Sequence, residues 1–306
     1  MRYSIAFFLF TSLLTCVTAP VIAQTIKVQV ITKKIEKSFQ YKEGYEVNIE
    51  GEKAEVNIQT WEKKEIQVVI ELISKHPDKA VAEKDLELMK HLAQRVKNKI
   101  YLRNYLSSVE GKGKSEPEAY LSVKYTITLP GECPVYLKNI FGAANISSLT
   151  NRLRVNSEFS RIGLENLKGS VEIKTRFGDL IGQDLDGWFN IQSRRSDLTL
   201  QNISGRFNIQ AQYGTIRLFA NDDLADLRID AEKSEVWFYH PNPQFVGYTL
   251  TAQGSEVKLP PRLNAHWLAA DNGERKITFS PNREYYPNVS IRITFGNLHV
   301  EKRVAP

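Results

Sequence analysis

An 18-residue period that begins at Phe141 constrains the fold of this chain more than any other feature of its sequence. Phe141-Gly142, Phe159-Ser160, Phe177-Gly178, Arg195-Ser196 and Tyr213-Gly214 recur every 18 residues, and Lys233-Ser234 and Gly254-Ser255 continue the series at intervals of 20 and 21. A fixed period of this size marks a repeat architecture, in which each unit buries its apolar side against its neighbours. Counted from the first residue of each pair, position 4 holds Ala144, Ile162, Leu180, Leu198, Ile216, Val236 and Val257. Position 6 holds Ile146, Leu164, Gly182, Leu200, Leu218, Phe238 and Leu259. Position 13 holds Leu153, Val171, Phe189 and Phe207, and position 15 holds Val155, Ile173, Ile191 and Ile209. Residues two apart on a strand face the same side, so these columns define two strands per coil that share one interior. Small residues at positions 2 and 11, among them Gly169, Gly187 and Gly205, mark the corners between them.

Residues 135–306 are therefore expected to form a β-solenoid, in an all-β-dominated chain, with each strand pairing with its counterpart in the next coil so that backbone donors and acceptors are satisfied without hairpins. The apolar intervals do not fit hexapeptide left-handed helices, which need an aliphatic residue every sixth position. The Gly-Gly-x-Gly-x-Asp signature of calcium-binding nonapeptide rolls is absent, so calcium is not implied. Asn288–Glu301 again places Phe-Gly before a short strand and is expected to close the stack, covering an edge that would otherwise pair with other chains.

Before the repeats, residues 24–134 read as an α+β region. Period-2 alternation predicts strands at Thr25–Val30, Tyr45–Ile49, Ala54–Thr60, Glu65–Ile73, Lys99–Tyr105 and Leu121–Leu129. One helix is expected from a cap at Asp78 through about Val96, on the 3–4-residue spacing of Leu86, Met89, Leu92, Ala93 and Val96. Glu110–Glu118, rich in Gly, Pro and charge, reads as an exposed loop.

The first 23 residues have the layout of a secretory signal, with Arg2, an apolar run from Ile5 to Val17, and small residues before a cleavage point between Ala23 and Gln24. That run falls short of the roughly 18–20 residues of a membrane-spanning helix. Lipidation at Cys16, after Leu13-Leu14-Thr15, is the competing expectation and the one route to membrane attachment. Past the signal only Cys133 remains, so stability has to come from burial and backbone pairing rather than from an intramolecular disulfide. Lys and Arg number 18 against 15 Asp and Glu in 24–117, 15 against 16 in 118–261, and 7 against 4 in 262–306. A nucleic-acid partner calls for a concentrated basic face, and this even spread argues against one.

The order of these segments resembles the bacterial putative-adhesin family of exported β-helical domains. The likeness runs through Val56–Val69 with its Thr60-Trp61-Glu62, Val123–Pro130, the Asn139-Ile140-Phe141-Gly142 start of the repeats, and Phe295-Gly296-Asn297-Leu298. It covers most of 35–301. Arg195, Lys233 and Gly254 at coil position 1, and the longer coils after Tyr213, depart from it. The resemblance implies export to the envelope and a β-helix, and no assigned activity.

No constellation of catalytic type stands out. His76, His91, His240, His266 and His299 have no metal-ligand spacing, so neither a metal nor a cofactor is expected. Cys133, in a turn before a strand, reads as a half-buried structural residue. Asp179, Asp184, Asp186 and Asp197 are the best acidic set, and carboxylates about 5–9.5 Å apart serve glycoside hydrolysis; only Asp179 and Asp197 share a coil position, which favours solvated outward charges. The column Phe141, Phe159, Phe177 and Tyr213 reads as a structural corner stack rather than a sugar platform. A ligand region is expected at Trp237, Phe238, Tyr239, Phe245 and Tyr248, where the coils lengthen around Pro241-Asn242-Pro243.

The sequence thus reads as a non-enzymatic, exported protein of the periplasm or cell surface, an adhesin-like binding or scaffold module for an envelope or surface macromolecule, glycan or protein. A regulatory partner in envelope-stress sensing and a polysaccharide-acting β-helix enzyme are the alternatives.

Overall fold

The computed structural model describes residues 27–107, 116–261, 263, 265–269 and 273–303. Ala23, Gln24 and Cys16, with the cleavage and lipidation expected there, and most of the expected loop at Glu110–Glu118, lie outside the described residues. The architecture is dominated by β-strands, joined in one hydrogen-bonded sheet, with a single α-helix among the described residues.

The alternating segments of the N-terminal part become β1 (Gln29–Gln40), β2 (Glu46–Glu52), β3 (Ala54–Trp61) and β4 (Glu65–His76). In β4 every second side chain, Ile66, Val68, Ile70 and Leu72, is buried, which is the face the sequence period selects. Helix α1 (Lys79–Leu86) starts as expected, the Asp78 side chain accepting from the Ala80 amide at 2.8 Å. It ends after eight residues, and Met89–Val96 is strand β5 rather than its continuation. β5 turns through Lys97, at φ 54°, and pairs antiparallel with β6 (Lys99–Leu106), Val96 opposite Lys99. The helical spacing of the apolar residues was misleading because they do not all face the core: Met89 is buried, Leu92 and Ala93 are half-buried and Val96 is exposed. Pairing with β6, which sends Ile100 and Leu102 into the core, outweighs local helix preference. β7 (Tyr120–Pro130) completes this part.

The repeats form β8 (Val135–Ser147), β9 (Leu153–Leu167), β10 (Ser170–Arg176), β11 (Leu180–Arg194), β12 (Leu198–Gln212) and β13 (Thr215–Glu232). They pair in parallel at the spacing of the repeat: Leu153 with Val171, Val171 with Phe189, Phe189 with Phe207, and on the second row Ile162 with Leu180 and Leu180 with Leu198. Two rows of strands result, and their inward columns belong to one apolar cluster. Neither row stops at residue 134. β2 pairs with β8 through Val47 and Val135 and with β6 through Val47 and Ile100. β3 continues the other row, between β8 (Val56 with Ala144) and β7 (Val56 with Tyr125), after which β4 and β1 follow antiparallel.

The C-terminal part departs from the expected order. It contains β14 (Glu235–His240), β15 (Gly247–Gln253), β16 (Glu256–Lys258), β17 (His266–Ala269), β18 (Glu274–Phe279), β19 (Asn288–Thr294) and β20 (Asn297–Lys302). The last segment does not lie at the end of the stack: β19 sits between β13 and β15, and β20 between β14 and β16. The coil at Gly254 is thereby displaced outward by one layer, and the antiparallel pair β18–β17 follows beyond β15.

One corner explains both the repeat dipeptide and this insertion. At its first position Lys53, Phe141, Phe159, Phe177, Arg195, Tyr213, Lys233 and Phe295 all have φ between 48° and 57°, as does Gly254 at 56°. For a residue with a Cβ this conformation costs roughly 1–2 kcal/mol. The cost is offset by stacking. Phe159 lies 4.9 Å from Phe141 and 4.7 Å from Phe177, its ring nearly parallel to each, and Arg195 places its guanidinium 5.4 Å from Phe177 and 5.9 Å from Tyr213. Lys233 then covers Tyr213 from the other side. The Arg and Lys that break the aromatic column in the sequence continue the stack in space.

At the second corner position the order along the stack is Ala54, Gly142, Ser160, Gly178, Ser196, Gly214, Ser234, Gly296, Ser255. The Ser160, Ser196, Ser234 and Ser255 hydroxyls accept from the amides of Gly142, Gly178, Gly214 and Gly296 at 3.1–3.4 Å. A Cβ on Gly178, Gly214 or Gly296 would meet the carbonyl oxygen of the preceding serine at 2.1, 2.2 or 1.8 Å, so the glycines are required for close backbone approach.

Candidate interaction surface

The residues expected to bind a ligand do not share one face. Trp237 and Tyr239 point outward from β14, half-buried, with ring centres 6.3 Å apart. Phe238, between them, points into the core and is fully buried, as alternation requires, and Tyr248 on β15 is buried as well. Phe245 lies in a one-turn 3-10 helix (Pro243–Phe245), with the Arg283 guanidinium 3.6 Å from its ring centre. The outward pair is instead completed by two residues that sequence reasoning missed. Phe219, one layer back on β13, stacks on Tyr239 at 4.5 Å, and His299 on β20 stacks on Trp237 at 3.7 Å. Phe219 could have been found from the column it shares with Tyr239. His299 could not, because its neighbour depends on the insertion of β20.

The result is an aromatic raft of Phe219, Trp237, Tyr239 and His299, bordered by Arg217, Glu235 and Glu301. Its rings cover one another's faces, leaving Phe219, Trp237 and Tyr239 half-buried and His299 buried. Such a surface suits contact with a second macromolecule, since large aromatic side chains on a rigid frame lose little entropy on binding.

The remaining sequence candidates separate. Asp179 and Asp197 flank the aromatic corner in adjacent layers, both exposed, with Asp197 accepting from the Thr215 amide at 2.7 Å. Asp184 and Asp186 lie at the opposite corner, where the Asp184 carboxylate accepts from Asn202. No cleft brings the two pairs together. Asp184 belongs to a further column the sequence reading overlooked, in which Ser148, Asn166, Asp184 and Asn202 have φ of 49–61° and Asn221 donates to Asn202. Cys133 is fully rather than half buried, and burial pushes its thiol up to about 12. Among the described residues no group of three or more His, Cys, Asp or Glu could hold a metal, and no helix is long and apolar enough to cross a membrane.

No family model matches the chain, and no curated protein matches it. Solved structures similar to it include a "putative adhesin" from Bacteroides fragilis, 12% identical, covering 89% of this chain and 97% of its own with a TM-score of 0.44. A "putative adhesin" from Parabacteroides merdae is 12% identical and covers 90% of this chain and 97% of its own at 0.44. A "putative lipid binding protein" from Parabacteroides distasonis is 10% identical, with coverage of 89% and 97% and a TM-score of 0.45.

Proposed function

We propose that the chain is an exported, non-enzymatic β-solenoid of the bacterial envelope that binds an envelope or surface macromolecule through its outer sheet faces. In this reading residues 1–23 are a cleaved signal, the two strand rows wind as successive coils around the common core, and the aromatic raft is a contact surface. The observation that carries it is the raft itself: Phe219, Trp237 and Tyr239 face outward, half-buried, on a regular stack, with the buried His299 packed against Trp237, and only Trp237 and Tyr239 belong to the lengthened loop region. Beyond what their stacking adds to the frame, partly accessible aromatic rings grouped on one outer face offer a surface for binding.

Co-sedimentation of the purified full-length chain with insoluble envelope material from its host tests the proposal. Retention is expected, reduced at least tenfold by Trp237→Ala with Tyr239→Ala, with no release of reducing ends from the glycans present. Retention indifferent to both substitutions, or glycan hydrolysis abolished by Asp179→Asn or Asp197→Asn, would overturn it.

A further inference from the structure

On the face opposite the raft, a shallow trough of about 620 Å³ runs along the stack from β9 to β13. Five successive layers build it, four from coil positions 16 and 18 (Asn156, then Lys174 and Arg176, Gln192 and Arg194, Gln210 and Gln212) and the fifth from Asp230 and Glu232, which pair with Gln210 and Gln212 in the longer coil. Layers about 4.8 Å apart make it roughly 19 Å from first to last. No aromatic or large aliphatic side chain lines it.

The trough gathers several unpaired polar side chains along one line of the stack. Some outward amides elsewhere close on one another, as Asn190 does with Asn208 at 3.0 Å and Asn57 with Asn145 at 2.9 Å, while others, such as Gln67 and Gln201, stand singly. Within the trough, Lys174 is paired with Glu172, Arg176 with Glu158, and Gln212 with Glu232. The exposed side chains of Asn156, Gln192, Arg194, Gln210 and Asp230 have no polar partner among the described residues. Three amides, one guanidinium and one carboxylate therefore stand free in a line, with no net charge between them.

We propose that this trough seats an extended, neutral glycan lying along the stack, which deepens the envelope-binding reading above and rests on it. Primary amides offer donors and an acceptor together, and a guanidinium or a carboxylate can engage two neighbouring hydroxyls at once, so the free groups match a chain of sugar hydroxyls. Outward pairs recur once per layer, a repeat close to the rise of one unit in an extended glycan. Asp230 and Glu232 at one end disfavour a polyanion. The absence of apolar lining disfavours a lipid chain or an amphipathic helix, which need a hydrophobic groove.

Calorimetric titration of the full-length chain with linear hexasaccharides of β-1,4-linked glucose and of β-1,4-linked N-acetylglucosamine, beside an oligogalacturonate of the same length, tests the assignment. At least one neutral hexasaccharide is expected to bind, with affinity reduced tenfold or more by Gln192→Ala with Gln210→Ala, unchanged by Gln67→Ala at an exposed glutamine of β4, and with the urea midpoint unmoved in every variant. Binding of the acidic oligomer alone, neutral binding insensitive to the glutamine pair, or no binding would overturn it. Envelope retention that persists in any of these cases sinks the trough and spares the broader proposal, whereas loss of retention sinks the broader one.

Discussion

At Phe159 two energetic demands meet in one residue. Its backbone is held at φ 50°, and its ring is sandwiched between Phe141 and Phe177. Phe159→Ala keeps the strained backbone and removes two ring pairs worth about 0.5–1.5 kcal/mol each, so a loss of about 1–3 kcal/mol is expected in urea unfolding. Phe159→Gly relieves the strain while losing the same pairs, and is expected to be the milder of the two. His240 gives a pH dependence. Burial lowers its pKa, against smaller upward pulls from Asp222 and from the backbone at Asn242. Near pH 6.5 the unfolded chain takes up a proton that the folded chain refuses, so stability is full above that pH and declines as the pH falls through 6.5 toward the folded value. The urea midpoint is expected to be lower at pH 5 than at pH 7.5, with the gap narrowed in His240→Gln.

Among the elements, the inserted pair β19–β20 depends most on a single residue. Gly296→Ala would set a methyl 1.8 Å from the Ser234 carbonyl, in backbone that cannot give way cheaply. It is expected to cost more than about 2 kcal/mol and to speed amide exchange in β14, β15 and β20 together. In this region β14, β16, the Asn288–Glu301 segment and the corner dipeptides were legible in the sequence, because the repeat is a regular signal, whereas β15, β17 and β18 fall outside its columns and were not read. Layer order was harder to read, since β15–β16 follow β14 in the chain but lie beyond β19–β20 in space. A trace of it was present. Ser234 followed by Ser255 interrupts the Gly/Ser alternation, and Gly296 is the residue that restores it. The end of α1 was illegible for a different reason: the apolar spacing of 86–96 fits a helix as well as a strand, and only the partner strand β6 decides between them. Of the raft, Trp237 and Tyr239 could be read from composition, whereas Phe238 and Tyr248 were drawn in because an aromatic cluster does not reveal which of its members alternate inward.

For the whole molecule, the alternation at the corner makes deletion of one layer differ from deletion of two. Removing residues 177–194 joins Arg176 to Arg195 in register, yet it sets Ser196 against Ser160, with a Cβ where Gly178 had none and the serine carbonyl 2.1 Å away. Removing residues 177–212 joins Arg176 to Tyr213 and sets Gly214 against Ser160, so every contact at the corner keeps its type. The longer deletion is expected to retain native circular dichroism and protease resistance better than the shorter one, although it discards twice the core. Ser196→Gly is expected to rescue the shorter deletion. Equal damage from both would show that the alternation carries no structural weight. Seen this way the stack obeys an odd–even rule, and a gene for such a chain can lengthen by copying pairs of layers but not single ones. A lineage left with an unmatched layer has another remedy: a segment from elsewhere in the chain can be slotted in as the missing member, which is the place Gly296 occupies between Ser234 and Ser255.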